Sequence, residues 1–284
     1  MAPVVGVHGI AQQRSTSERQ LKLWSDSLRL GVIRADCPTD SVPTLAVPFY
    51  GWLFRKNSPY LGGEEEQPFD DAEEAFVTEV LDESIEALSD AETAELEQSA
   101  KTLGLSRFVP PWLLRGLAAL DNHWGGGKGL LLVGVLRQVY AYLYRKGAGD
   151  VIRQVVLDEV AEDTRVFVGH SLGSVVVYDL LRRGLAPQVT TLVTLGSPLA
   201  SGTVRRALAD SANGAGVGIS DEVRWSNVYD PWDVVTMGKG LHPQAQDYPV
   251  DNGFADPHAL ARYLGRKETG SLIFAGTATD GPSL

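Results

Sequence analysis

The 284-residue sequence predicts an α/β fold, a mostly parallel central sheet flanked by helices. Three observations carry that expectation. Short runs such as Val4–Val7, Arg165–Val168 and Val189–Leu195 are apolar almost throughout, as strands covered on both faces must be. Helical stretches separate these runs, the alternation that builds a parallel sheet. The composition, 44% hydrophobic and 21% charged, suffices for a sizeable core.

Taken in order, Val4–Val7 is a compact β-branched strand ending at His8-Gly9. Ser17–Arg34 reads as a helix with Leu21, Trp24, Leu28 and Val32 on one face. Thr44–Tyr50 reads as a second strand, irregular at its end because of Pro48. Arg165–Val168, Val189–Leu195 and Val223–Tyr229 read as the third to fifth strands, and Ser271–Ala275 as a last one. Between the second and third strands lie about ninety residues, from Arg55 to about Gly147, far more than a βα crossover needs. The expected organisation is therefore a core of residues 1–54 and 148–284 with a helical insertion, a cap or lid, over 55–147. Within it, residues 69–97 read as an acidic amphipathic helix, with Phe69, Phe76, Val80 and Leu88 near one stripe. Its outer face is either solvated or a docking site for a basic partner. Val109–Leu120 and Leu130–Tyr144 either pack on each other and the sheet or form a cap lining a cleft. The apolar run Leu130–Leu136 is too short to span a bilayer, which takes roughly 20 residues.

Charge and cysteine usage exclude several functions. The net charge is −11, and general nucleic-acid binding needs clustered Lys and Arg that an acidic chain lacks. Residues 64–97 hold 15 Asp and Glu and no Lys or Arg, leaving 25 basic and 21 acidic residues elsewhere. One cysteine, Cys37, excludes an internal disulfide and a Cys-rich zinc site. The opening residues have no basic segment followed by a long apolar one, so the expectation is a cytoplasmic protein without a secretory signal or transmembrane segment. The run Gly125–Gly129 fails the phosphate-loop pattern, because Asn122 and Gly129 stand where Gly and Ser or Thr are required. With no metal-binding motif either, neither a metal nor a cofactor is expected. Whether the insertion contacts a protein partner or a second copy is left open.

Gly169-His170-Ser171-Leu172-Gly173 has the form Gly-x-Ser-x-Gly, between a strand and a helix over Ser174–Arg183. Reversing from strand to helix at one residue strains the backbone, and glycines two positions away remove the collisions. Ser171 would then stand exposed at the strand's C-terminal end, near a helix N-terminus suited to developing negative charge. The alternative is a glycine-rich turn whose serine only caps the helix.

This strand–turn–helix resembles the nucleophile elbow of α/β-hydrolases. Val7-His8-Gly9-Ile10, Leu195-Gly196-Ser197-Pro198 and Asp233-Val234-Val235 resemble the lipase-like serine esterases of that superfamily, including fungal lipases and inositol deacylases acting on lipid anchors. The resemblance covers residues 3–50 and about 150–275 but not the insertion. It departs at Leu199, where related lipases often have His, and in beginning on what resembles the third strand of the full fold.

The resemblance implies a serine nucleophile, Ser171, followed in chain order by an acid and a histidine base. Of the five histidines, His242 and His258 follow both Ser171 and an acid at a strand end. His258 is the expected base, since it lies 25 residues after Asp233 and opens an apparent helix over Ala259–Leu264; His242 is the alternative. Asp233 resembles the orienting acid before a short apolar run, with Asp230, an Asp-Pro turn starter, as the alternative. The N–H of Leu172 supplies one oxyanion donor and, by resemblance, that of Ile10 the other. His8, Gly9, Gly169, His170 and Gly173 support the two loops. The implied substrate is a small-molecule or lipid-like ester with an apolar acyl group. An acyltransferase or thioesterase using the same acyl-enzyme, and a non-catalytic hydrolase-like binding module, are the alternative functions.

Overall fold

Val4–Val7 has no polar side chain and is buried along its whole length, which is possible only for a strand inside a sheet with both faces covered. In the computed structural model it is β1, an interior strand of such a sheet. The structure describes residues 2–9, 12–58, 61, 68–86, 111–210 and 218–278. Among these residues six strands, β1 (Val4–Val7), β2 (Leu45–Ala46), β3 (Val166–His170), β4 (Thr191–Leu195), β5 (Arg224–Tyr229) and β6 (Gln246–Pro249), pair in the order β2-β1-β3-β4-β5-β6. Every pairing is parallel. Because β2 lies on one side of β1 and all later strands on the other, the strand order reverses between β1 and β3. A crevice opens at the C-terminal ends of strands at such a point. Val7 pairs with Gly169, so His8-Gly9 and His170-Ser171 leave the sheet side by side.

The side chains alternate between two helical layers. Val4, Val166, Val168, Val193 and Val228 pack with α1 (Ser17–Arg34), α8 (Leu260–Leu264) and α9 (Lys267–Thr277). Val5, Val7, Phe167 and Leu192 face the other layer. There they join α2 (Asp71–Glu86), α3 (Pro111–Trp124), α4 (Lys128–Tyr144), α5 (Ala148–Leu157), α6 (Leu172–Arg182) and α7 (Gly202–Asp210) in one apolar cluster. The insertion helices α2 to α4 are thus continuous with the core. Among the described residues, no helix is long and apolar enough to cross a membrane.

Several elements differ from the sequence expectation. On α1, Trp24, Leu28 and Val32 are buried but Leu21 is 42% exposed. The inward place is taken by Gln20, whose amide donates to the side chains of Gln12 and Ser15. The second strand shrinks to Leu45–Ala46, and after Pro48 the chain enters a short 3₁₀ turn, Gly51–Phe54. Ser271–Ala275 is not a strand but lies inside α9, where Ile273 is buried in the layer beside α1. Among the described residues the last strand is β6, which reads Gln-Asp-Tyr-Pro and pairs with β5 alone, and an edge position needs no apolar run.

The acidic helix α2 finds its basic partners within the chain. Glu73, on its buried side, binds Arg137 and Arg145 of α4 and the loop after it, at 2.8 and 3.2 Å. Asp70 also takes Arg145, at 2.6 Å, and Glu79 takes Arg206 of α7. Glu83 accepts from Ser201 Oγ at 2.5 Å and Gly202 N at 2.6 Å, filling the N-terminus of α7. Residues 87–97, including Leu88, lie outside the described residues.

A second polar cluster anchors α6. Fully buried Asp179 accepts from Tyr142 of α4 at 2.7 Å and Arg153 of α5 at 3.1 Å. It also binds Arg182 at 3.0 Å and Arg183 at 2.9 Å. Removing one partner of a buried pair leaves uncompensated charge. Asp179→Asn is therefore expected to lower unfolding free energy by about 3–5 kcal/mol in urea titrations. Lys22→Ala, which breaks an exposed pair with Asp26, should leave the unfolding midpoint close to that of the wild type.

Candidate active site

The turn between β3 and α6 is made by one residue. Ser171 has φ 55° and ψ −125°, a conformation that costs a side-chain-bearing residue energy. Its neighbours hold it there. Ser171 N donates to Leu195 O at 3.0 Å, continuing the β3–β4 ladder past the strand end. Its carbonyl accepts from Ser174 N at 2.9 Å and Ser174 Oγ at 2.6 Å, and Ser174 Oγ in turn meets Ser197 Oγ at 2.7 Å. Only glycines fit alongside. A Cβ on Gly169 would stand 2.5 Å from Ser174 Cα, and one on Gly173 would stand 2.6 Å from the carbonyl carbon of Val7. The Gly173 contact shows that its missing side chain makes room for β1, not only for the turn itself.

Ser171 is fully buried, not exposed as the sequence suggested. The loop after β1 lies over it, and a Cβ on Gly9 would come within 2.7 Å of Ser171 Cβ. Its side chain makes no capping bond to α6. Ser171 Oγ is among the few buried polar atoms with no hydrogen-bond partner among the described residues.

His258 is buried, and its Nδ1–H donates to Asp233 Oδ2 at 2.7 Å. Its Nε2 is also buried and without a hydrogen-bond partner. Asp233 is fully buried and accepts two further bonds: Tyr263 OH on Oδ2 at 2.8 Å and Val235 N on Oδ1 at 3.0 Å. Burial alone would raise its pKa; the His258 ring and these donors outweigh burial and hold the carboxyl below its usual range. Asp230, the alternative acid, serves elsewhere. Its carboxylate accepts from Trp232 N at 2.8 Å and from Asn252 N, fixing the turn, and burial pushes its pKa up. His242, the alternative base, is exposed in the loop before β6.

Two other buried histidines hold the loops. His8 Nδ1–H donates to Gly9 O at 2.9 Å, and its Nε2 accepts from Tyr50 N at 3.3 Å. A carbonyl only accepts and an N–H only donates, so the ring is neutral with its proton on Nδ1. Burial, opposed by the Gly9 bond, lowers its pKa to about 4. His170 Nε2–H donates to His258 O at 2.9 Å, so the residue before Ser171 fixes the backbone of the other imidazole. Burial first, then the neighbouring His258 ring, lowers the His170 pKa to about 3. Leu172 opens α6 and is fully buried. Ile10 lies outside the described residues.

Sequence reasoning assigned no role to Gly196 or Tyr263. Gly196 has φ 52°, and a Cβ there would stand 2.9 Å from Asp233 Oδ2 and 3.2 Å from His258 Nδ1. It forms the floor under the pair. Its signal was present in Leu195-Gly196-Ser197-Pro198. Tyr263, on one short helix turn, has no such signature. Among the described residues, no group of three or more His, Cys, Asp or Glu could hold a metal ion.

The arrangement presents an unpartnered hydroxyl and an unpartnered, carboxylate-held imidazole nitrogen at one end of the sheet. Comparison of the chain with family models, with curated proteins and with solved structures returned no match.

The buried neutral histidines give a stability test. Between pH 6.5 and about 4, an unfolded chain protonates His8 and His170 while the folded one does not. The unfolded state then binds more protons, so stability falls as pH falls. Each histidine is expected to contribute about 1.4 kcal/mol per pH unit across that window. Urea unfolding between pH 7 and 5 reads this slope, and His8→Gln should remove about half of it. The depressed Asp233 acts at lower pH, its stabilisation being lost as pH falls below the ordinary carboxylate range.

Proposed function

We propose that this protein is a serine hydrolase of the α/β-hydrolase type that cleaves carboxylic esters. The observation that carries the reading is a pair of orphaned atoms. Buried side-chain polar atoms are mostly hydrogen-bonded, yet Ser171 Oγ, just after β3, and His258 Nε2, in a ring 4.8 Å from that of His170, both lack partners. Such atoms retain capacity for a proton transfer that the folded chain does not consume. The all-parallel order β2-β1-β3-β4-β5-β6 supports the fold assignment, and the strained Ser171 turn supports an elbow.

In this reading Ser171 Oγ attacks the ester carbonyl carbon and its proton passes to His258 Nε2. Asp233 holds the imidazole by Nδ1 and stabilises the imidazolium that forms. The N–H groups of Leu172 and Ile10 bind the oxyanion. The C–O bond to the alcohol then breaks, and His258 returns the proton to the departing oxygen. Water, deprotonated by the same nitrogen, attacks the acyl carbon; the bond to Ser171 Oγ breaks, His258 gives its proton back to that oxygen, and the acid leaves. Catalytic hydrogen bonds are often long before substrate binds, which accommodates the absence of a Ser171–His258 bond here. Residues 55–147 act as the cap, and the apolar composition of that stretch favours an apolar acyl or lipid-like substrate.

A fluorophosphonate probe tests the assignment. Wild type is expected to label, and Ser171→Ala not at all. His258→Ala should lower ester turnover by about 10⁴-fold or more, with the double variant no worse than either single one. Asp233→Asn is expected to cost about 10⁴-fold, whereas Asp230→Asn stays within about tenfold of wild type. Equal labelling of wild type and Ser171→Ala ends the nucleophile assignment. Across nitrophenyl esters of increasing acyl length, a decisive preference for acetate removes the lipid-like substrate.

A further inference from the structure

Tyr263 lies on α8, five positions after His258, and is fully buried. Its hydroxyl has one proton and two polar contacts. Asp230 N donates to it at 3.0 Å, and a backbone N–H can only donate. The phenol's own proton is therefore committed to the other contact, Asp233 Oδ2, at 2.8 Å. That oxygen also accepts His258 Nδ1–H, at 2.7 Å. Two donors share one carboxylate oxygen, and burial keeps the phenol protonated by raising its pKa well above the usual value.

The end of β4 leaves this trio little freedom. A Cβ on Gly196 would meet Asp233 Oδ2 and Tyr263 Cε2, each at 2.9 Å. Other titratable groups around the pair come from three strand ends. His170 after β3 has its ring 4.8 Å from that of His258, and His8 after β1 stands behind His170. Both stay neutral above about pH 5, since their pKa values lie near 3 and 4. Asp230, after β5, gives its carboxylate to Trp232 and Asn252 N–H groups, not to the pair.

We propose that Tyr263 is a positioning residue that sets the proton affinity of His258 through Asp233 Oδ2. By donating to that oxygen, the phenol draws off charge that would otherwise stabilise a protonated His258 ring. A hydrogen bond to the charged form of a group favours that form and weakens the group as an acceptor for others. The proposal extends the hydrolase reading by naming what tunes its base, and rests on that reading for its catalytic meaning.

The test follows the His258 ring by NMR in the full chain, with His258→Gln used for assignment. In Tyr263→Phe the titration midpoint is expected to rise by about one pH unit, a tenfold gain in proton affinity. The acid limb of the pH profile for fluorophosphonate labelling should rise with it. Site-specific 3-fluorotyrosine at position 263, a stronger donor with the same ring, should move both readings down. This second arm decides the matter if Tyr263→Phe does not fold. Unchanged midpoints in the phenylalanine and fluorotyrosine chains overturn the proposal, as does a downward shift in Tyr263→Phe. The two readings fail separately. If wild type labels at Ser171 but the midpoint ignores residue 263, the tuning is wrong and the hydrolase stands. A midpoint that moves as expected in a chain that never labels supports the tuning and removes the hydrolase.

Discussion

The constraint on which the site depends is the contact between α6 and β1. Gly173, the second residue of the helix, lies against the backbone of Val7 with no space for a methyl group. That contact places the helix start beside the neighbouring strand's exit, and with it the loop carrying His8 and Gly9 against Ser171. A larger residue would lift α6 from β1 and separate two loops that the sheet register brings level at Val7 and Gly169. Backbone proximity, here set by the absence of side chains, positions the serine before any catalytic group is considered.

Around this contact the molecule invests its polar groups in holding α6 and its neighbours. Asp179 ties the far end of α6 to α4 and α5, so the helix is fixed at both ends. The carboxylates of α2 bind arginines on α4 and α7 and cap α7 itself. Asp70, Glu73 and Glu79 of the acidic stretch are thus matched by arginines elsewhere in the chain. A net charge calculated over the whole sequence hides that pairing, because it sums groups that neutralise each other locally.

The sequence revealed elements wherever one physical cause dominated. Fully buried strands and the 18-residue helix α1 announced themselves by apolar runs and period, and their bounds matched closely. It misled where two causes competed. Ser271–Ala275 has strand-like residues, yet lies in α9 against the α1 layer. β6 is polar because an edge strand is held by backbone pairing on one side, which leaves no apolar pattern to read. Within the site, Ser171, Asp233 and His258 sat in recognisable surroundings, and the spacing of 25 residues suited the Asp233–His258 contact. Asp230 and Asp233 could be separated only by coordinates, since both follow the same strand and differ in what they face. Tyr263 was invisible because one hydroxyl aimed at a carboxylate leaves no spacing rule.

The hydrogen bond from His170 to the carbonyl of His258 joins positions 88 residues apart. The serine turn is local, made by β3, α6 and the adjoining ends of β1 and β4, whereas the imidazole comes from beyond β6. Loop closure over such a span is entropically unfavourable until the intervening strands have paired. A growing polypeptide that has emerged only as far as β4 therefore still lacks both Asp233 and the His258 ring that it binds. Assembly of the pair is a late event in biogenesis, and it coincides with docking of the C-terminal helices that complete the sheet's second layer.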